Sequence, residues 1–123
     1  MQGGINTPAS ASIFVLEDEV LIRMMIVQML EELGHRVVAE AGSLTEGLSL
    51  AETAEFDLAL LDINVGGYTS EGIAQIVERR GLPILFVTGY ISTGLPPPFS
   101  DRRVLQKPFP IEALKKAIDD AWR

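Results

Sequence analysis

Residues 12–19 read Ser-Ile-Phe-Val-Leu-Glu-Asp-Glu. Four apolar residues run without alternation and stop at three acids. Such a run predicts a short strand buried on both faces, as in a parallel sheet. The form recurs along the chain. Residues 56–61 predict a strand ending at Asp62, residues 83–87 (Pro-Ile-Leu-Phe-Val) one ending at Thr88, and residues 104–106 one ending at Lys107. Residues 36–40 are β-branched and alternating, and supply the remaining strand. Helical patterns lie between them. One spans 19–33 and is closed by Gly34, and one follows Ser43 and Glu46, a capping-box pair, to about Thr53. A third spans 70–80 before Gly81, and the last, 110–122, opens with proline. Strands alternating with helices in this way predict an α/β domain with a parallel sheet and helices on both faces.

In such a sheet the carboxyl ends of the strands line the ligand crevice. Glu17, Asp18, Glu19, Asp62, Thr88 and Lys107 would therefore meet at one edge. Several carboxylates, a hydroxyl and an ammonium suit a divalent cation and a phosphoryl group better than they suit packing. Alone, a strand-end Asp caps a turn more often than it acts as a nucleophile. Its company reverses that reading and makes Asp62 a candidate acceptor of a phosphoryl group as an acyl phosphate. Glu17 and Asp18 repel Asp62 unless a cation lies among them, and Mg²⁺ takes hard oxygen ligands of this kind. Acids at a helix start also complement the helix dipole, which accounts for Glu19 better than for the pair before it. Thr88 can donate to a phosphoryl oxygen. Lys107 can pair with Asp62 and then with phosphate oxygens.

The chain has 123 residues, 47% of them hydrophobic, which fits one domain with a sizeable core. Residues 1–11 read as a mobile tail and 12–123 as the domain. A formal net charge of −7 argues against a nucleic-acid or anionic-membrane partner, both of which need a basic face. With no cysteine, disulfides and thiolate metal sites are excluded. There is no signal-peptide pattern and no apolar stretch of the roughly 20 residues that span a bilayer, so a cytoplasmic location is expected. His35, the one histidine, reads as a surface turn residue, and Trp122 as packing the last helix on the sheet.

The motifs Val-Leu-Glu-Asp-Glu-Val-Leu-Ile-Arg (15–23), Leu-Ala-Leu-Leu-Asp-Ile-Asn (58–64), Ile-Leu-Phe-Val-Thr-Gly (84–89) and Val-Leu-Gln-Lys-Pro-Phe (104–109) stand in one order and register. From residue 12 to the end the chain resembles the receiver domain of bacterial two-component response regulators. The resemblance implies a flavodoxin-like sheet of five strands in the order 2-1-3-4-5. It implies Mg²⁺ held by Glu17, Asp18, Asp62 and the backbone carbonyl of Asn64. It further implies Asp62 as phosphoacceptor, Thr88 as switch hydroxyl and Lys107 as the phosphate contact, with a cis bond before Pro108. The expected partners are a histidine kinase or phosphotransfer protein and a downstream protein reached by direct contact, since the last helix leaves no room for a fused output module. The chain would take part in its own phosphorylation without being a turnover enzyme.

Two departures from that family stand out. Val104 occupies the place of the usual switch aromatic, and Pro96, Pro97 and Pro98 interrupt the segment where a fourth helix is expected, so that helix should be short or missing. Phe86-Val87-Thr88-Gly89-Tyr90-Ile91 resembles a subgroup reading Phe-Ala-Thr-Gly-hydrophobic-Tyr, with Tyr90 placed to stand in for the aromatic. The first helix carries two apolar stripes. Ile22, Ile26, Met29 and Leu33 form one, and Val20, Met24 and Val27 the other. The second either packs between neighbours or docks a kinase helix bundle or a second copy of the chain. The alternative functions are a receiver-like interaction module that is never phosphorylated, a flavin carrier and an aspartyl-phosphate phosphatase. The acidic loop after the first strand disfavours flavin phosphate, and Asn64 stands where the phosphatase needs a second Asp.

Overall fold

A computed structural model describes residues 9–89, 99, 102 and 104–122. The chain order is β1 (Ser12–Leu16), α1 (Val20–Glu32), β2 (Arg36–Ala41), α2 (Leu44–Thr53), β3 (Leu58–Asp62), β4 (Asn64–Val65), β5 (Tyr68–Thr69), α3 (Glu71–Arg79), β6 (Ile84–Thr88), β7 (Val104–Gln106) and α4 (Ile111–Ala121). Five strands form one parallel sheet in the order β2-β1-β3-β6-β7. Counting the long strands alone, this is the expected 2-1-3-4-5 order. The expectations of a short or absent fourth helix and of a substitute role for Tyr90 concern residues outside those described.

Alternation along the buried strands sorts the core into two layers. Phe14, Leu16, Ala59, Leu61 and Phe86 face α2 and α3, whose Ala51, Ile73 and Val77 close over them. Ile13, Val15, Leu58, Leu60, Leu85 and Val87 face α1 and α4, which contribute Ile26, Leu30, Leu114 and Ile118. Trp122 packs against this second layer, as expected. Because both faces are covered, the three central strands carry, after Ser12 opens β1, no polar residue until their carboxyl ends. The polar residues thus gather on one rim.

The stretch after Asp62 is a hairpin in which Asn64 and Val65 pair with Thr69 and Tyr68. Gly66 and Gly67 both have positive φ (59° and 87°), the conformation of a two-residue hairpin turn that side-chain-bearing residues resist. Ala11, assigned to the tail, is fully buried, and its carbonyl accepts from the N–H of Arg36 at 2.9 Å. His35, read as a surface residue, is buried, and its Nδ1 accepts from the N–H of Ala11 at 3.0 Å. A turn residue is drawn inward here because the segment leading into β1 crosses it and needs an acceptor.

Burial holds the His35 imidazole below its ordinary value, opposed by Asp119 and assisted by Lys115. The unfolded chain therefore takes up the proton first. The contribution of His35 to stability is complete above pH ~6.5 and is lost as pH falls through the lowered folded-state value. His35→Asn keeps an acceptor near Nδ1 and removes the titration. Thermal melts of wild type and variant should run parallel above neutrality, with the wild type losing ground on the variant below pH ~6.5. Parallel curves down to pH ~5 would contradict this assignment.

Candidate functional site

The acids sit where β1 and β3 end, and every polar atom of Glu17 has a partner. Its N–H donates to the Ala41 carbonyl at 3.0 Å, and its carbonyl accepts from Arg23 Nη1 at 2.7 Å. Carboxylate Oε1 accepts from Lys107 Nζ at 2.7 Å, and Oε2 from the N–H of Glu19 at 3.0 Å. Glu17 is fully buried. α1 starts with Glu19 as its N-cap; the side chain of Glu19 makes no cap bond, and its N–H is held by the Glu17 carboxylate.

Asp62 ends β3 and is 3% exposed. Lys107 Nζ lies 3.0 Å from its Oδ2, and the N–H of Asn64 donates to its Oδ1 at 3.3 Å. One ammonium therefore bridges two buried carboxylates. Asp18 is exposed, and its Oδ2 accepts from the N–H of Gly66 at 3.0 Å, which ties the Gly-Gly turn to the acid loop. Ligand oxygens of Glu17, Asp18 and Asp62 lie within 4.8 Å of one another.

Thr88 ends β6 and is buried; its carbonyl accepts from the N–H of Lys107 at 2.7 Å. The register Asp62↔Val87 places Thr88 one step beyond the acceptor on the neighbouring strand. The Lys107–Pro108 bond is cis, as the resemblance implied. The sequence-chosen residues thus share one strand-end rim. Val104 pairs with Phe86 and is partly exposed.

Sequence reading missed Ser70. Its buried hydroxyl donates to the backbone carbonyl of Asp62 at 2.6 Å, and its N–H donates to the Ile63 carbonyl at 2.8 Å. These bonds hold the base of the hairpin against the acceptor. A Ser before a helix reads as a cap, yet no side-chain cap bond forms here. The hydroxyl is spent on a carbonyl left over where the β1–β3 ladder stops.

Burial pushes the Asp62 carboxyl up to about 6, and the Glu17 charge adds to this; the hydrogen bond from Lys107 opposes it. Lys107 is itself held above its ordinary value, since bonds to Glu17 and Asp62 outweigh its burial. Three carboxylates against one ammonium leave negative charge uncompensated in a largely dehydrated place. That excess, with hard oxygens at coordination spacing, fits a divalent cation such as Mg²⁺.

A parallel sheet in this order, with an acid-lysine rim at its strand ends, defines a receiver-type α/β domain. Residues 13–119 match the response regulator receiver domain model, and the chain belongs to that family. Family members generally bind Mg²⁺ in the acidic pocket. The chain is 33% identical over 124 residues to the transcriptional regulatory protein PdtaR of Mycobacterium tuberculosis, covering 94% of this chain and 60% of the relative. The solution structure of SdrG from Sphingomonas melonis Fr1 superposes with a TM-score of 0.80 at 36% identity, covering 90% of this chain and 95% of that one. The response regulator PhyR from Brucella abortus superposes at 0.78 with 30% identity, covering 92% of this chain and 48% of that one. The chain thus spans about three-fifths of PdtaR and half of PhyR. Among the described residues no helix is long and apolar enough to cross a membrane.

Proposed function

We propose that the chain is a Mg²⁺-dependent response regulator that accepts a phosphoryl group on Asp62 from a histidine kinase or phosphotransfer protein in the cytoplasm, and signals through protein contacts. The observation that carries this reading is the ammonium of Lys107 bonded to both Glu17 and Asp62 while Asp18 stands within coordination distance. Mg²⁺, held by Glu17, Asp18, Asp62 and the Asn64 carbonyl, would neutralise charge on the phosphoryl oxygens. A carboxylate oxygen of Asp62 attacks phosphorus, the P–N bond to the donor imidazole breaks, and the imidazole leaves with the electron pair. Lys107 exchanges its bond to Asp62 for one to a phosphoryl oxygen and keeps Glu17 as its counter-charge. Thr88, one residue past the Asp62 register, donates its hydroxyl to another phosphoryl oxygen.

The α1 surface supports a helical partner. Val20, Leu21, Met24 and Met25 are all more than half exposed. The second apolar stripe therefore faces outward at Val20 and Met24, and Leu21 and Met25 extend it. Exposed methionines suit adaptable contacts with a helix bundle.

Intact-mass spectrometry after incubation with Mg²⁺ and acetyl phosphate tests the reading. A gain of one phosphoryl group is expected, absent from Asp62→Asn and absent without Mg²⁺. No gain, together with no binding of berylliofluoride and Mg²⁺, would leave a silent interaction module instead.

A further inference from the structure

Glu17 lies one residue past the last rung of the β1–β3 ladder, and its carbonyl is taken up by a side chain. Arg23, in the first turns of α1, donates from Nη1 to that carbonyl at 2.7 Å. Its Nε lies 3.3 Å from Glu40 Oε1 near the end of β2. One planar fork thus joins α1, the acidic turn and the edge strand, a span that a single ammonium does not reproduce. The floor beneath it is Gly42. A methyl group there would stand 2.6 Å from Arg23 Nη1. Gly42 does not have positive φ, so its backbone tolerates alanine. What the glycine supplies is room for the guanidinium.

We infer that Arg23, seated over Gly42, is a positioning residue that fixes the Glu17–Asp18 turn in the geometry that receives a divalent cation, an inference that rests on the phosphoacceptor reading above. Glu17 is held at all four polar atoms, whereas the Asp18 side chain beside it is held through the N–H of Gly66 at the tip of the hairpin. Freeing the Glu17 carbonyl lets the peptide between them rotate, and the Asp18 carboxylate turns with it. Partners one layer behind metal ligands commonly set affinity in this way.

The test counts free Mn²⁺ by its electron paramagnetic resonance signal against the full chain, with metal-free thermal melts alongside. Arg23→Ala should weaken Mn²⁺ binding about tenfold. Gly42→Ala should weaken it several-fold with little change in Tm, because only the far end of a flexible side chain must move. The Arg23→Ala/Gly42→Ala double variant should bind as Arg23→Ala does, since the methyl then enters vacated space. Additive losses in the double variant, or unaltered affinity in either single variant, overturn the clamp. If the wild-type protein binds Mn²⁺ and takes up phosphoryl while both single variants match it, the clamp alone falls. If the wild type does neither, the phosphoacceptor reading falls and the clamp with it.

Discussion

Lys107→Met should lower Tm by roughly ten degrees or more without Mg²⁺ and reduce phosphoryl uptake by on the order of a hundredfold. Lys107 is the shared counter-charge of Glu17, which is fully buried, and of Asp62, which is nearly so. Removing one member of a buried charge pair costs about 3–5 kcal/mol, because the other charge stays behind in a poor solvent. A domain has about 5–15 kcal/mol in all, so the loss is a large share. Protonation of Asp62 relieves part of it, since that carboxyl already lies near 6. Two further results are expected. Mg²⁺ should restore more Tm to Lys107→Met than to wild type, by supplying the missing positive charge. Glu17→Gln in the Lys107→Met background should recover stability, giving a large coupling in the double-mutant cycle. Calorimetry of the four proteins decides the matter, and a Lys107→Met protein that melts with wild type would refute the shared-counter-charge role.

Phe99→Ala should cost about 3–5 kcal/mol and lower Tm by roughly ten to twenty degrees. Phe99 is 2% exposed and stands 5.6 Å from Phe86, ring centre to ring centre, at 58°. The Arg102 guanidinium lies over the ring, 5.4 Å from its centre, and also pairs with Glu78 at 2.8 Å. The ring fills the α2–α3 layer beside β6. Truncation leaves a cavity in a close-packed interior as well as losing the transfer energy of the ring. Phe99→Leu retains most of the volume and should lose far less. A Phe99→Ala protein melting within about three degrees of wild type would mean the site collapses without cost.

The motifs were legible because strand ends in a parallel sheet must expose what the strands bury. Asp62 and Thr88 each break an apolar run, and Lys107 follows Gln106 at the end of a short strand, which places all three on the rim whatever the details of packing. The α1 stripes were legible as periodicity, but their fate was not. Met24 is exposed and Ile26 buried only because α1 lies against β1 and β2 with one particular rotation. His35 was misjudged because its acceptor role depends on a residue 24 positions earlier. Arg23, read as one letter in a motif, acquires its meaning from Glu40 and Gly42, which pattern alone does not bring near it.

By itself the sequence determined the α/β class, the strand order through its family motifs, and the set of residues on the acidic rim. Burial on both faces leaves a parallel strand few choices of composition, so the pattern is read without coordinates. Only the tertiary structure decided which atom holds which: that Glu17 is saturated by four partners, that Ser70 grips the carbonyl of Asp62, and that Arg23 rests on Gly42. Some of those pairings are close in the chain, as Glu17 with Arg23 and Ser70 with Asp62, and others far apart, as Glu17 with Lys107, but all are set by distances of about 3 Å, and residue pattern carries no information at that scale.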